Sequence, residues 1–310
     1  MRYELLLAAS AELWAILPSA LQAMLMADAA GPGRPKKLPS VKGSVAILPI
    51  HGEISQRGSI WQELFGGTST QRLAAQYSRA VNDDRVGAVV FDVDSPGGTV
   101  SGVPEAADVI REGARIKPTY AVASGQMASA AYWLASQVGA GNLMASKSSN
   151  VGSIGVVAVH EDYSEYLKNK GVKVSALGVP EYKTEGWTHS PLSDEARDNY
   201  MARINDTYND FVGDIAAARG MKAETIKADY GKGRTFHGTE AKQRGMIDRV
   251  ATISQVVSEL TRFSKGEDTE AIAAGIIEAG DRGLVEAFHR GTSTSVRARR
   301  LVMLDNSWSA

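Results

Sequence analysis

The stretch Val86-Gly-Ala-Val-Val-Phe-Asp-Val-Asp94 constrains the fold of this chain more than any other segment. It is an almost unbroken apolar run rich in β-branched residues, the pattern of a strand buried on both faces, as in parallel sheets sandwiched by helices. It leads directly into Ser95-Pro96-Gly97-Gly98, a cluster of chain breakers, and then into a helical pattern from Val100 to Ala114. The same succession recurs. An apolar strand from Ser44 to His51 precedes helical periodicity from Thr70 to Asn82, and Thr119 to Ser124 precedes strong helix formers from Gln126 to Gln137. Leu143 to Ala145 and Gly155 to Val159 read as further strands, and Leu192 to Arg219 as a long helix. Strands alternating with helices predict an α/β fold, with right-handed βαβ units around a mainly parallel sheet. At 310 residues and 44% hydrophobic content, the chain is long enough to bury a large core.

Four segments carry residues suited to chemistry. Gly125 can supply a tight turn between the Thr119 run and the following helix, which puts Ser129 at the helix start, where free amide groups and the helix dipole favour a developing alkoxide. A serine hydroxyl is a weak nucleophile and needs an adjacent base. Lys183, between Tyr182 and Trp187, is a candidate for that base. A lysine acts only when neutral, so its free pKa of about 10.4 has to fall, and burial among apolar groups does this. Gly97 and Gly98 end a strand in a way that lets backbone N–H groups face a cleft, as an oxyanion hole requires. Ser153, within Asn150-Val-Gly-Ser-Ile-Gly155, is a small hydroxyl able to hold a lysine amine. Each segment also has a plain structural reading: a helix-start serine, a solvated lysine, a strand-to-helix turn and a turn serine.

Taken in order, these segments resemble the signal peptide peptidase A family of Ser-Lys peptidases, and within it the phage capsid (prohead) protease branch. Asp94-Ser-Pro-Gly-Gly98 is similar to the family's oxyanion loop, Met127-Ala-Ser129 with Tyr132 to its nucleophile motif, and Val151-Gly-Ser-Ile-Gly155 and Tyr182-Lys183 to the two others. The resemblance runs from about Val45 to Val250, roughly two-thirds of the chain. Many cellular members have a Gly-Gly pair after the nucleophile where this chain has Ala130-Ala131, a departure that fits the phage branch. The resemblance implies a ClpP/crotonase-like spiral fold and a serine endopeptidase with a Ser129–Lys183 dyad. It also implies oxyanion amides near Gly97 and Gly98, Ser153 positioning the lysine, and no cofactor. The implied role is processing of scaffold, capsid or portal proteins during phage head maturation in the host cytoplasm, by a homo-oligomer. The alternatives are a host peptidase degrading signal peptides, and a structural head protein without turnover.

The remaining features set limits on function. The formal net charge of −1 gives no support for nucleic-acid binding or for attraction to a membrane surface, and the absence of cysteine excludes disulfides and thiol catalysis. The five histidines lack metal-ligand spacing, so no metal is expected. A Ser-His-Asp triad has one serious histidine candidate, His160, but the Gly-Ser-Ile-Gly pattern upstream favours the lysine. Residues 1–30 read as an amphipathic helix, with Leu5, Leu6, Ala9, Leu13, Ile16 and Leu17 at helical spacing. Glu4, Glu12 and Pro18 argue there against a signal peptide or membrane span. Residues 31–43 are a breaker-rich linker, 44–263 the peptidase domain, and 264–310 a C-terminal helix and flexible tail.

Overall fold

The Val86 run becomes a central strand of the main sheet. The computed structural model describes residues 9–10, 12–26, 38–57 and 67–264. The first half of the chain forms β1 (Trp14–Ile16), α1 (Pro18–Met26), β2 (Ser40–Lys42), β3 (Val45–His51), β4 (Glu53–Ser55), β5 (Gly67–Ser69), α2 (Thr70–Asn82), β6 (Ala88–Ser95), β7 (Gly97–Thr99) and α3 (Val103–Ala114). The second half forms β8 (Thr119–Ala128), α4 (Ala130–Ser136), β9 (Leu143–Ala145), β10 (Asn150–Gly152), α5 (Ser164–Asn169), α6 (Asp194–Arg219), α7 (Ala223–Asp229), β11 (Thr235–His237), α8 (Gly238–Gln243), β12 (Arg249–Val250) and α9 (Ile253–Ser264).

The main sheet has the order β11-β10-β8-β6-β3-β2, with β9 beside β8 and β12 beside β9. The interior pairings β3–β6, β6–β8, β8–β10, β8–β9 and β9–β12 are parallel, whereas the edge pairings β2–β3 and β10–β11 are antiparallel. Alternation along β6 sends Val89, Phe91 and Val93 into one core and Ala88 and Val90 into another. The first core is closed by Leu73, Tyr77 and Val81 of α2 and by Val103, Ala106, Ala107 and Ile110 of α3. The second is closed by Val256, Val257 and Leu260 of α9. Ser69 and Ser193 cap α2 and α6 by accepting hydrogen bonds from the amides of Arg72 and Ala196, as short hydroxyl side chains do at helix starts. The expected α/β class with parallel βαβ units is what the chain adopts.

A second, smaller sheet has the order β1-β7-β4-β5. Its tightest contact lies between β7 and β4, where Ile54 pairs with Gly98. A Cβ at Gly98 would overlap the Ile54 carbonyl oxygen and stand 2.5 Å from the Ile54 nitrogen. Both are backbone atoms and cannot rotate away, so Gly98→Ala is expected to destabilise the fold by about 3 kcal/mol. Urea unfolding of the variant measures this as a lowered midpoint.

On β4, Glu53 is buried at 4% exposure, and burial pushes its carboxyl up from 4.5 to about 8, with the charge of Glu12 adding to the shift. Its folded pKa lies above its unfolded one, so between those values the native chain keeps a proton that the unfolded chain has lost. Stability therefore falls as pH rises from about 4.5 to about 8 and levels off above. Glu53→Gln is expected to flatten that slope and to exceed the native chain in stability at pH 9, by on the order of 3 kcal/mol. Melting temperatures across this pH range test it.

Three local expectations differ from the structure. Residues 14–16, placed in a helix by the spacing of Leu13, Ile16 and Leu17, form strand β1. Pro18 restricts Leu17 to extended backbone, Trp and Ile favour strands, and β7 offers a free edge to pair with. Residues 1–8 and 27–30 of that helix lie outside the described residues, as does the C-terminal helix and tail from residue 265. The turn expected at Gly125 does not end β8, which continues to Ala128. The β6–β8 register shifts between Val93 and Ser95, and the bulged segment is held by the Gln126 amide donating to Asp94 Oδ1 at 3.0 Å. The strand expected at Gly155 to Val159 is reduced to a single bridge from Val157 to Trp14, the regular strand being β10 just before it.

Candidate active site

The site is built where two neighbouring parallel strands end together. β8 and β10 pair in register through Ala128 and Gly152, and each is followed by a serine, Ser129 and Ser153. Both serines have positive φ, 56° and 54°, a conformation costly for a residue with a Cβ and typical of functional turns. The Ser129 amide donates to the Gly152 carbonyl at 2.7 Å, and its carbonyl accepts from Trp133 at 3.0 Å. The Ser153 amide donates to the Arg234 carbonyl at 2.8 Å. The strained backbone is therefore fixed by hydrogen bonds on both sides at Ser129 and through the amide at Ser153.

Ser129 occupies the N-cap position of α4 without using its hydroxyl as a cap. Its Oγ donates instead to the Gly155 carbonyl, at 3.4 Å, and the residue is fully buried. The short helix behind it is anchored at several points. Trp133 stacks on Phe211 at 4.4 Å between ring centroids and donates its indole N–H to Asp214 at 2.8 Å. Tyr132 donates its hydroxyl to the Met246 carbonyl at 2.7 Å. These contacts draw α6 and the segment after α8 against α4, so the serine rests on packed aromatic groups.

Gly97 closes the other side of Ser129. It has φ +96°, and a Cβ placed on it would stand 3.0 Å from both the Ala128 oxygen and the Ala130 nitrogen, the atoms that flank Ser129. The same Cβ would overlap the Ala15 carbonyl oxygen of β1. The Gly97 amide donates to the Ser95 hydroxyl at 3.1 Å, and Gly98 stands opposite Ala15 in the β1–β7 register.

The structure thus brings Ser129, Ser153, Gly97 and Gly98 to one place. Lys183 makes no hydrogen bond to either serine. It lies in a 3-10 turn (Glu181–Thr184) and is exposed, as are Tyr182 at 63% and Trp187 at 43%. The burial expected from Tyr182 and Trp187 is absent within one chain, because the segment around them turns its apolar side chains outward. Leu177 and Val179 are each 92% exposed. His160 is half-buried, but neither ring nitrogen has a hydrogen-bond partner, so it forms no bond to Ser129. Among the described residues no cluster of His, Cys, Asp or Glu is arranged to hold a metal, and no helix is long and apolar enough to cross a membrane.

Two features of the site escaped the reading of the sequence. One is the Gly155 carbonyl as partner of the Ser129 hydroxyl, for which a backbone acceptor leaves no trace in residue type. The other is β1, which lies against Gly97 and Gly98. Its signal was the extended bias of Trp14-Ala-Ile-Leu17 before Pro18.

Comparison with known proteins places these features in context. The family model described as Peptidase family S49 matches residues 111–266, a span that includes Ser129, Ser153 and Lys183. The capsid assembly protease C of Escherichia phage lambda is 27% identical over 263 residues, covering 82% of this chain and 59% of that protein. The head-tail preconnector protein GP5 of Enterobacteria phage P21 is 28% identical over 229 residues, covering 74% of this chain and 45% of that protein. This chain therefore spans less than two thirds of the length of either relative. Among solved structures, the ClpP protease catalytic domain from Plasmodium falciparum aligns with a TM-score of 0.42 at 14% identity, covering 66% of this chain and 85% of that one.

Proposed function

Since the chain belongs to peptidase family S49, we propose that it is a serine endopeptidase in which Ser129 is the nucleophile and Lys183 the general base. The observation that carries this reading is the backbone of Ser129, a strained, buried serine held between the Gly97-Gly98 strand and the Gly152–Gly155 turn. In the proposed cycle Ser129 Oγ attacks the scissile carbonyl and its proton passes to neutral Lys183, which then protonates the leaving amine. Amides at Gly97 and Gly98 stabilise the oxyanion, the Gly97 amide leaving the Ser95 hydroxyl to do so, and Ser153 orients the lysine amine.

The exposed position of Lys183 supports an active form larger than one chain. A general base has to stand within hydrogen-bond reach of the nucleophile, and the open turn that carries Lys183 would be covered when pressed against a second copy. Leu177, Val179 and Tyr182, exposed around it, give such a contact apolar surface. We therefore assign the active form to a ring-like homo-oligomer in which Lys183 of one protomer serves Ser129 of its neighbour. Head-to-tail contacts closing into a ring give every protomer an equivalent site.

The names of the two phage relatives support a biological role in head assembly, with scaffold, capsid or portal proteins as substrates. The experiment for the chemical assignment is active-site labelling. A fluorophosphonate probe is expected to modify the assembled protein at Ser129, located by peptide mass spectrometry. Absence of an adduct under conditions where the protein is assembled would sink the nucleophile assignment.

A further inference from the structure

The chain lays part of itself alongside its own candidate active site. β1 runs antiparallel to β7 with Trp14 opposite Thr99, Ala15 opposite Gly98 and Ile16 opposite Gly97. The pairing extends at both ends, where the Leu17 amide donates to the Pro96 carbonyl at 2.8 Å and the Val100 amide donates to the Leu13 carbonyl at 2.9 Å. On the opposite edge of β1, Trp14 and Val157 exchange both backbone hydrogen bonds, each 2.9 Å. Leu13–Leu17 therefore fills a slot one strand wide between β7 and Val157. Without it both edges would present unpaired N–H and C=O groups, the arrangement that captures extended peptides by strand addition.

The slot passes the nucleophile. Its β7 wall contains Gly97, packed against the atoms that flank Ser129, and its other wall is Val157, two residues beyond Gly155, the acceptor of the Ser129 hydroxyl. The Ala15 carbonyl lies against Gly97 itself. We propose that residues 13–17 are an intramolecular pseudosubstrate, a self-strand that closes the peptide slot and is displaced before an extended protein substrate can enter. The proposal deepens the protease reading above and rests on it.

The way the strand is attached suits displacement. Trp14 and Ile16 pack with Ala9, Leu21, Met24, Val157 and Val159 in a small cluster separate from the two main cores, and only Ala15 between them joins the first core. A three-residue edge strand that gives only an alanine to a main core opens at lower cost than core elements do. The same packing points to the substrate class: unfolded segments with large apolar residues at alternate positions, able to take the places of Trp14 and Ile16.

The test uses the Ser129→Ala protein, so that binding is read without cleavage. Because the chain has no cysteine, Trp14→Cys with Val157→Cys introduces one disulfide-forming pair. A hydrogen-bonded antiparallel pair has a Cα separation of about 5.5 Å, within disulfide range. The probe is a fluorescein-labelled synthetic peptide with the sequence of residues 12–19, followed by anisotropy. A tethered strand competes at a high effective concentration, so the oxidised, locked protein is expected to bind the probe at least about tenfold more weakly than the reduced one. Equal affinity in the two states, or no binding to the reduced state, would overturn the pseudosubstrate. If circular dichroism shows that the cysteine pair prevents folding, Ala15→Pro in the Ser129→Ala chain decides the matter. It removes the Ala15 amide from the β1–β7 ladder and is expected to tighten probe binding about tenfold over Ser129→Ala alone. Unchanged affinity refutes the proposal. Binding does not depend on catalysis, so a protein that binds as expected but never cleaves would retain the pseudosubstrate and lose the protease reading.

Discussion

Ser129→Ala is expected to abolish cleavage of an unstructured protein substrate, lowering kcat by at least about 10⁴-fold, while leaving the melting temperature near that of the native chain. The size of the effect follows from the proposed chemistry, in which the Ser129 hydroxyl forms the acyl intermediate. The small effect on stability follows from the packing. The Ser129 hydroxyl makes one long hydrogen bond, to Gly155 at 3.4 Å, whereas the backbone is held by bonds that alanine keeps. Alanine at φ 56° carries the same strain as serine there. Casein digestion, followed with thermal denaturation of the same preparation, measures both quantities. A variant with the native rate would show that the nucleophile lies elsewhere.

Lys183→Ala is expected to be nearly as inactive as the serine variant, with His160→Ala keeping most of the activity. The reverse ranking would assign the chain to Ser-His-Asp chemistry. The more informative result comes from mixing. Neither Ser129→Ala nor Lys183→Ala protein alone has a complete dyad. If the dyad is shared between neighbours, an equimolar mixture under subunit exchange places both intact residues at about a quarter of the interfaces and restores about a quarter of the native activity. Fluorescence energy transfer between labelled subunits establishes that exchange has taken place. With exchange established and no activity regained, the dyad is confined to one chain, and Lys183 reaches Ser129 only by movement of its own segment.

What the sequence determined by itself is what depends on neighbours along the chain. The unbroken apolar run from Val86 specified a doubly covered parallel strand, and the Ser-Pro-Gly-Gly after it marked the strand's end. The placement of Ser129 between a strand and a helix was legible because residue types on both sides change within a few positions, and Gly97 because a Gly-Gly pair at a strand end frees backbone amides to face a cleft. What only the tertiary structure decided depends on partners distant in sequence. The Trp14–Ile16 segment carried helical spacing, yet became a strand because the edge of β7, more than 80 residues away, supplies hydrogen bonds that no local preference encodes. β8 ran through Gly125 because Asp94 on the neighbouring strand holds the bulge. Lys183 reads as buried between Tyr182 and Trp187, but burial is a property of the surface that covers a residue. Within one chain that surface is missing, so the lysine stands in water.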